Sequence, residues 1–187
     1  MNRTFAALAL GMALIAALAC NTRKSEPLGP VPPTVTAQGF KSVTSNNITL
    51  QWKTEGAVLH VRLQAPTTGW AAAGFDPQPG AGMQGANFII GYVRNDTVFI
   101  RDDYGSSAYS HDPDAGAGGT DNVVITGGSE SGGSTSLAFD IPLNSGDSRD
   151  RTLAAGQTYA VLLAYGPAGA DDYTSQHQAR TSISIQL

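Results

Sequence analysis

Reactive chemistry in this chain has to come from few residues. There are three histidines (His60, His111 and His177), three methionines (Met1, Met12 and Met83) and one cysteine, Cys20. Imidazole nitrogens and a thioether sulfur are ligands for a transition metal. Carboxylates suit a harder cation, and Asp102, Asp103, Asp112, Asp114 and Asp121 crowd one stretch. Their spacing does not follow an EF-hand loop, so the stretch reads as a negatively charged, solvated loop. His111 sits within it, where it reads as a solvated residue that could bind metal or line a ligand site. His60 falls on the polar phase of an alternating run and reads as an exposed sheet residue. Covalent catalysis lacks its parts: there is no Gly-x-Ser-x-Gly elbow, no phosphate-binding loop and no His-Glu-x-x-His. The paired acids of a loop-rich acidic chain carry no glycosidase geometry by themselves. The expectation is a binding or electron-transfer module with no catalytic set.

These residues have to be positioned by strands. No run has helical apolar spacing long enough to define a helix, whereas period-two alternation recurs. Ile48, Leu50 and Trp52 alternate with polar residues, as do Leu59, Val61 and Leu63. Phe88 to Val93 is almost wholly apolar. Asn95-Asp96 then marks a hairpin turn before Thr97 to Arg101 resumes a strand pattern. Val123–Thr126 and Ser136–Ile141 flank a Gly/Ser segment. Tyr159–Tyr165 and Thr181–Leu187 close the set, with Ile183, Ile185 and Leu187 on one face. Around nine short strands with turn-rich joins predict an all-β fold, a single-domain antiparallel β-sandwich. Two long loops stand out, 76–86 and 102–122, and long loops on a compact sandwich commonly carry function. Met83 lies in the first, where it is either a gap-filling side chain or a ligand.

The N-terminus predicts export. Arg3 precedes an uncharged apolar run from 5 to 19, of signal-peptide rather than membrane-spanning length. It ends in Ala17-Leu18-Ala19-Cys20, which resembles the lipobox of bacterial lipoproteins, with Ala17 where that motif most often has Leu. The resemblance implies a signal peptide over 1–19 and a lipid on Cys20, which would anchor the protein to the cell envelope. Asn21, rather than Asp, points to the outer membrane. Residues 20–34 form a proline-rich tether. The domain proper is 35–187. One cysteine permits no intrachain disulfide, and the lack of Cys-x-x-Cys-His excludes covalently attached c-type haem. A net charge of −4 without a basic patch argues against nucleic acid as a partner.

Several stretches together resemble a DOMON domain. They are Trp52, Gly69-Trp70-Ala71-Ala72-Ala73-Gly74-Phe75, Met83-Gln84-Gly85-Ala86-Asn87, Ile90-Gly91-Tyr92-Val93, Asp102-Asp103-Tyr104, and the late strand, loop, His177 and final strand. The resemblance covers about 40 to 187 and is most specific from Gly69 to Val93. It implies an immunoglobulin-like sandwich that binds b-type haem or, in some members, is thought to bind sugars. The haem-binding relative is the cytochrome domain of cellobiose dehydrogenase. By that resemblance Met83 and His177 are the axial ligands of the iron, and this pair of residue types suits low-spin haem. Trp70, Phe75, Phe88, Tyr92 and Tyr165 are the expected walls, and Arg101 or Arg180 the expected propionate partners. The function implied is outer-sphere electron transfer by haem b. No redox domain is fused within this sequence, so the redox partner is expected to be separate. The alternatives are a haem-free module stacking carbohydrate or another small ligand on Tyr104 and Tyr109, and an interaction lipoprotein with no small ligand. The run Ala71–Ala73 is smaller than is usual in the family, which either widens a cavity or thins the core.

Overall fold

The computed structural model describes residues 33–187. The apolar leader, Cys20 and all but the end of the proline-rich tether lie outside the described residues. Twelve strands form two six-stranded antiparallel sheets. The first sheet runs in the order β1 (Thr34–Val35), β2 (Lys41–Ser45), β3 (Ile48–Glu55), β4 (Val58–Ala65), β10 (Ser134–Pro142), β9 (Val124–Ser131). The second runs β12 (Ala179–Gln186), β11 (Thr158–Tyr165), β5 (Ala71–Phe75), β6 (Asn87–Arg94), β7 (Thr97–Gly105), β8 (His111–Pro113). The expected β-sandwich is therefore present.

Alternation explains the core. Ile48, Leu50 and Trp52 of β3, Leu59, Val61 and Leu63 of β4, and Leu137, Phe139 and Ile141 of β10 all point inward. They meet Ala71, Ala73 and Phe75 of β5, Ile89 and Val93 of β6, Val161 and Leu163 of β11, and Ile185 of β12. Trp52 and Phe139 are fully buried, and each contributes on the order of 2–3 kcal/mol by burial alone. Trp52 also donates from Nε1 to the Gln186 carbonyl at 3.0 Å, tying the sheets together along one side.

Tight turns set the registers. Asn46-Asn47 and Asn95-Asp96 adopt positive φ at both positions (48° and 62°, 51° and 58°), as two-residue hairpins require. Two expectations about loops change. The Gly/Ser segment is mostly strand β9, turning at Gly132-Gly133. β9 is an edge strand with little side chain to bury, and at Gly128 a Cβ would stand 2.9 Å from both the Ser136 carbonyl and Val98. The acidic stretch 102–122 is not a solvated loop. β7 runs on to Gly105, β8 pairs with it, and a 3₁₀ turn spans Asp114–Ala117. Asp102, Asp103 and Asp114 are buried in it, whereas Asp112 and Asp121 are exposed.

Candidate functional site

The centre of the second sheet is apolar on both faces. β6 is buried at every residue from Asn87 to Val93. Ile89 and Val93 enter the inter-sheet core, whereas Phe88, Ile90 and Tyr92 face outward. With Trp70, Ala72 and Ala164 they form a second apolar cluster on the outside of the sandwich. Register places Ala72 between Ile90 and Ala164, with Arg101 and Arg180 at the two ends of that row. Beside it Gly74 lies next to Phe88, where a Cβ would come within 2.6 Å of the Phe88 ring. Small residues at 72, 74 and 164 thus make a low floor, and Phe88, Tyr92, Phe99 and Trp70 rise around it. The middle alanine of the Ala71–Ala73 run serves this floor, while its neighbours fill the core.

Two segments cover the floor. The loop 76–86 leaves β5 through Asp76, whose carboxylate accepts from Arg151 at 2.9 and 2.6 Å. It docks on the end of β7: Gly85 N–H donates to the Gly105 carbonyl at 2.8 Å, and Gly105 N–H donates to the Ala86 carbonyl at 2.9 Å. Gly105 is required there, because a Cβ would stand 1.7 Å from the Met83 carbonyl oxygen. Met83 consequently lies half-buried against the outer cluster. The second segment, 166–178, crosses from β11 to β12. Trp70 holds it by donating from Nε1 to Ser175 Oγ at 2.8 Å and from its N–H to the Ala170 carbonyl at 3.0 Å. Asp172 Oδ1 accepts from the Thr174 and Ser175 N–H groups, both at 2.7 Å. These bonds hold its carboxyl below the usual range. Tyr173 packs on the cluster, 5.1 Å from the Tyr92 ring centroid, and burial pushes its phenol up to about 12. His177 is half-buried in this segment, two residues beyond Ser175.

A polar triad borders the floor. Asp103 is fully buried and accepts from Arg101 Nη2 at 2.7 Å. It also pairs with His111 Nδ1 at 2.5 Å. Burial raises its pKa, but the hydrogen bonds from His111 and Arg101 outweigh that and hold it below the ordinary carboxylate range. His111 is therefore an ordered residue of β8, stacked on Phe88 with centroids 4.8 Å apart, and not the solvated loop residue expected. Its Nε2 is the nitrogen left free of Asp103. The Arg101 guanidinium lies 4.2 Å above Tyr173, and that of Arg94 lies 5.3 Å from the Phe99 centroid.

Of the residues singled out in the sequence, Met83, Trp70, Phe88 and Tyr92 come together on this face. Phe75 and Tyr165 do not, since both belong to the inter-sheet core. They sit on the other phase of β5 and β11, and the pleat directs them inward. His60 hydrogen-bonds Asp140 on the outside of the first sheet at 2.8 Å. Tyr104 lies under the Arg149 guanidinium, so of the two stacking platforms only Tyr109 is exposed. Sequence reasoning missed Tyr173, Arg94 and the Asp103–His111 pair. Only the last left a signal, a His eight residues beyond an Asp-Asp pair.

The family model described as DOMON domain matches residues 44–166, more than half of the chain. No curated protein matches it. Among solved structures, the chain is similar to the cytochrome b domain of pyranose dehydrogenase from Coprinopsis cinerea. That likeness has 12% identity and a TM-score of 0.57, over 78% of this chain and 80% of that one. It is also similar to the cytochrome domain of Myriococcum thermophilum cellobiose dehydrogenase, at 14% identity and a TM-score of 0.56, over 83% and 88%. At such identities the structural likeness speaks for the shared fold alone. The family match, on a sandwich of this topology, establishes that the chain belongs to the DOMON domain family.

Proposed function

We propose that this chain is a b-type haem-binding electron-transfer domain, with the outer face of the second sheet as its cofactor floor. The observation that carries the reading is the second apolar cluster, because a sandwich with a full core has no structural need of one. The residues present fit a flat amphipathic ring: a floor of small side chains, aromatic walls, and cationic groups at Arg94 and Arg180 that suit propionates, Arg101 being paired with Asp103. When bound, haem b supplies a one-electron couple. Met83 offers a thioether from the loop docked on Gly105, and His177 offers an imidazole from the covering segment. Two protein ligands leave no coordination position for oxygen or substrate, so the task is outer-sphere transfer. The floor excludes water, and exclusion of water tunes the couple. Tyr173 occupies part of the floor, so loading requires this ring to leave Tyr92. The structural relatives named above are cytochrome domains, which supports the reading. The same proposal has the protein exported and lipid-anchored through Cys20 to the envelope, the outer membrane by its Asn21, and serving a separate redox partner. Loss of lipid labelling in Cys20→Ala tests that anchor.

The test is the visible spectrum of protein expressed with haem available, before and after dithionite. A Soret band with sharp reduced α and β bands is expected. Met83→Ala and His177→Ala should each abolish the low-spin spectrum or release haem, and an unchanged spectrum in both sinks the ligand assignment. The orientation of His111 by Asp103 favours a second reading of one ligand, since ligating histidines commonly give their other nitrogen to a carboxylate. Loss of the low-spin spectrum in His111→Ala but not in His177→Ala would move the imidazole ligand to His111. A protein that stays colourless after haem reconstitution retires the haem reading. The carbohydrate or small-ligand module would then take its place.

A further inference from the structure

The far side of β7 carries a chemistry that haem binding does not use. Asp102 points inward from β7, Asp114 opens the 3₁₀ turn, and Asp150 lies between β10 and β11. One carboxylate oxygen from each lies within 4.8 Å of the other two. Asp102 and Asp114 are 1% and 0% exposed. A separate observation concerns their partners. Asp102 Oδ1, both oxygens of Asp114 and Asp150 Oδ1 are buried with no hydrogen-bond partner among the described residues. Buried polar atoms are almost always partnered, and four orphaned carboxylate oxygens in one place call for a ligand.

The surroundings orient these groups and offset their charge only in part, through Arg149 near Asp114. Asn122 donates its N–H to Asp102 Oδ2 at 2.9 Å and its Nδ2 to Asp150 Oδ2 at 3.3 Å, leaving the second oxygen of each unpartnered. The guanidinium of Arg149 is spent on the Ala117 carbonyl, at 3.2 and 2.9 Å, and on the Tyr104 ring. Asp147, which accepts from Thr120 and Arg149 N–H groups, adds further negative charge. Burial first, and then mutual repulsion, pushes Asp102 up to about 8 and Asp114 up to about 7.

We propose that Asp102, Asp114 and Asp150 form a divalent-cation site of calcium type. The donors are all oxygen, with no nitrogen or sulfur, which selects a hard cation. Three carboxylates from three separate chain segments suit Ca²⁺, which accepts six to eight oxygens in flexible geometry. Mg²⁺ usually takes only one or two carboxylates and keeps its waters. The ion would staple the inward face of β7 to the 3₁₀ turn and to the segment before β11.

The experiment uses the protein stripped with EDTA and dialysed, then titrated with CaCl₂ in a calorimeter and melted with and without 1 mM Ca²⁺. A single binding event and a higher Tm are expected, with a weaker response to Mg²⁺. Asp114→Asn should lower Ca²⁺ affinity at least tenfold and remove the Tm gain. Stripped Asp114→Asn should melt no lower than stripped wild type, because the substitution relieves repulsion. Asp112→Asn, exposed on β8, should titrate like wild type, as should Met83→Ala, which separates this site from the haem reading. Absence of heat and of any Tm change in wild type overturns the proposal. So does an Asp114→Asn variant that titrates like wild type, and an equal response to Mg²⁺ overturns the calcium assignment. If Asp114→Asn does not fold, the wild-type titration and metal content by mass spectrometry decide alone.

Discussion

The two outer faces of this sandwich are built from strands of similar length, yet only the second is closed to water at its centre. On the first sheet, β4 buries Leu59, Val61 and Leu63 and turns His60, Arg62 and Gln64 outward. On the second sheet, β6 buries both phases, one into the core and the other into the outer cluster. An antiparallel sandwich needs a single apolar face per sheet. A second one contributes nothing to closing the two sheets and marks a surface kept for a ligand or a cover. β7 departs from the pattern in the opposite direction, sending Asp102 into a space from which water is excluded. The fold is therefore ordinary on the first sheet and unusual twice on the second. Both departures lie along β6 and β7.

The sharpest way to break this comparison is to place the same charge on each face. Ile90→Lys puts an ammonium at the centre of the apolar floor, beside Arg101, which already holds the nearby Asp103 carboxylate. It should destabilise the protein by about 3 kcal/mol or more. Gln64→Lys, on the exposed phase of β4, should change stability by less than about 0.5 kcal/mol. Urea unfolding of the two variants measures the difference, and equal effects would mean that the second sheet's outer face is no more closed than the first.

The strongly alternating strands were legible because their signals are local. Alternation in β3 and β4 and the Asn95-Asp96 turn of the second sheet depend on neighbours in sequence, and each is where its pattern puts it. The unbroken run Phe88–Val93 announced burial on two faces without saying what covers the second. The cover comes from Met83 and Tyr173, some ninety residues apart in the chain, and a pairing at that distance leaves no periodic trace. The edge strands β1 and β8, and β2 beside β1, were silent for the related reason that they bury little. The acids of 102–122 misled because charge is read as exposure. Their partners Asn122, Arg101 and His111 can be recognised only once the strands are paired.

The inward carboxyls give the next largest effect. The raised values of Asp102 and Asp114, and the raised Asp150, mean that the folded protein holds protons which the unfolded chain has released. Their stabilisation is full only below the unfolded carboxyl range near pH 4 and is lost as pH rises through 7 and 8. Protein stripped of divalent cations should therefore become less stable from pH 6 to 9, by up to about 1.4 kcal/mol per pH unit for each group in transition. Asp103, held low, acts in the opposite sense and only in acid, so the two windows separate. Thermal melts across this range check the slope, and a flat profile would place these carboxyls in contact with water.

Gly105→Ala tests the hinge between the two departures. Its Cβ meets the Met83 carbonyl, which is backbone and cannot rotate away. The loop 76–86 must lift, at a cost of about 2 kcal/mol by analogy with overpacked sites. Met83 moves with it. Haem uptake should fall together with stability, and a variant that loses stability but keeps its low-spin spectrum would separate the docking of the loop from the aim of the thioether.

Ser175→Ala should have the smallest effect and is the finest test of the covering segment. It removes the acceptor of Trp70 Nε1 while the Asp172 bonds to the Thr174 and Ser175 N–H groups remain, so the backbone turn persists. Loss of one hydrogen bond at a half-buried site costs about 1 kcal/mol. The urea midpoint should shift by that amount at constant slope, and haem should dissociate a few-fold faster with its bands unmoved. A changed spectrum would mean that the Trp70 tie itself aims the imidazole two residues on. Unchanged dissociation would mean that the segment is held by its backbone bonds and by Tyr173, so that the aromatic floor, and not the polar tie, keeps the second face closed.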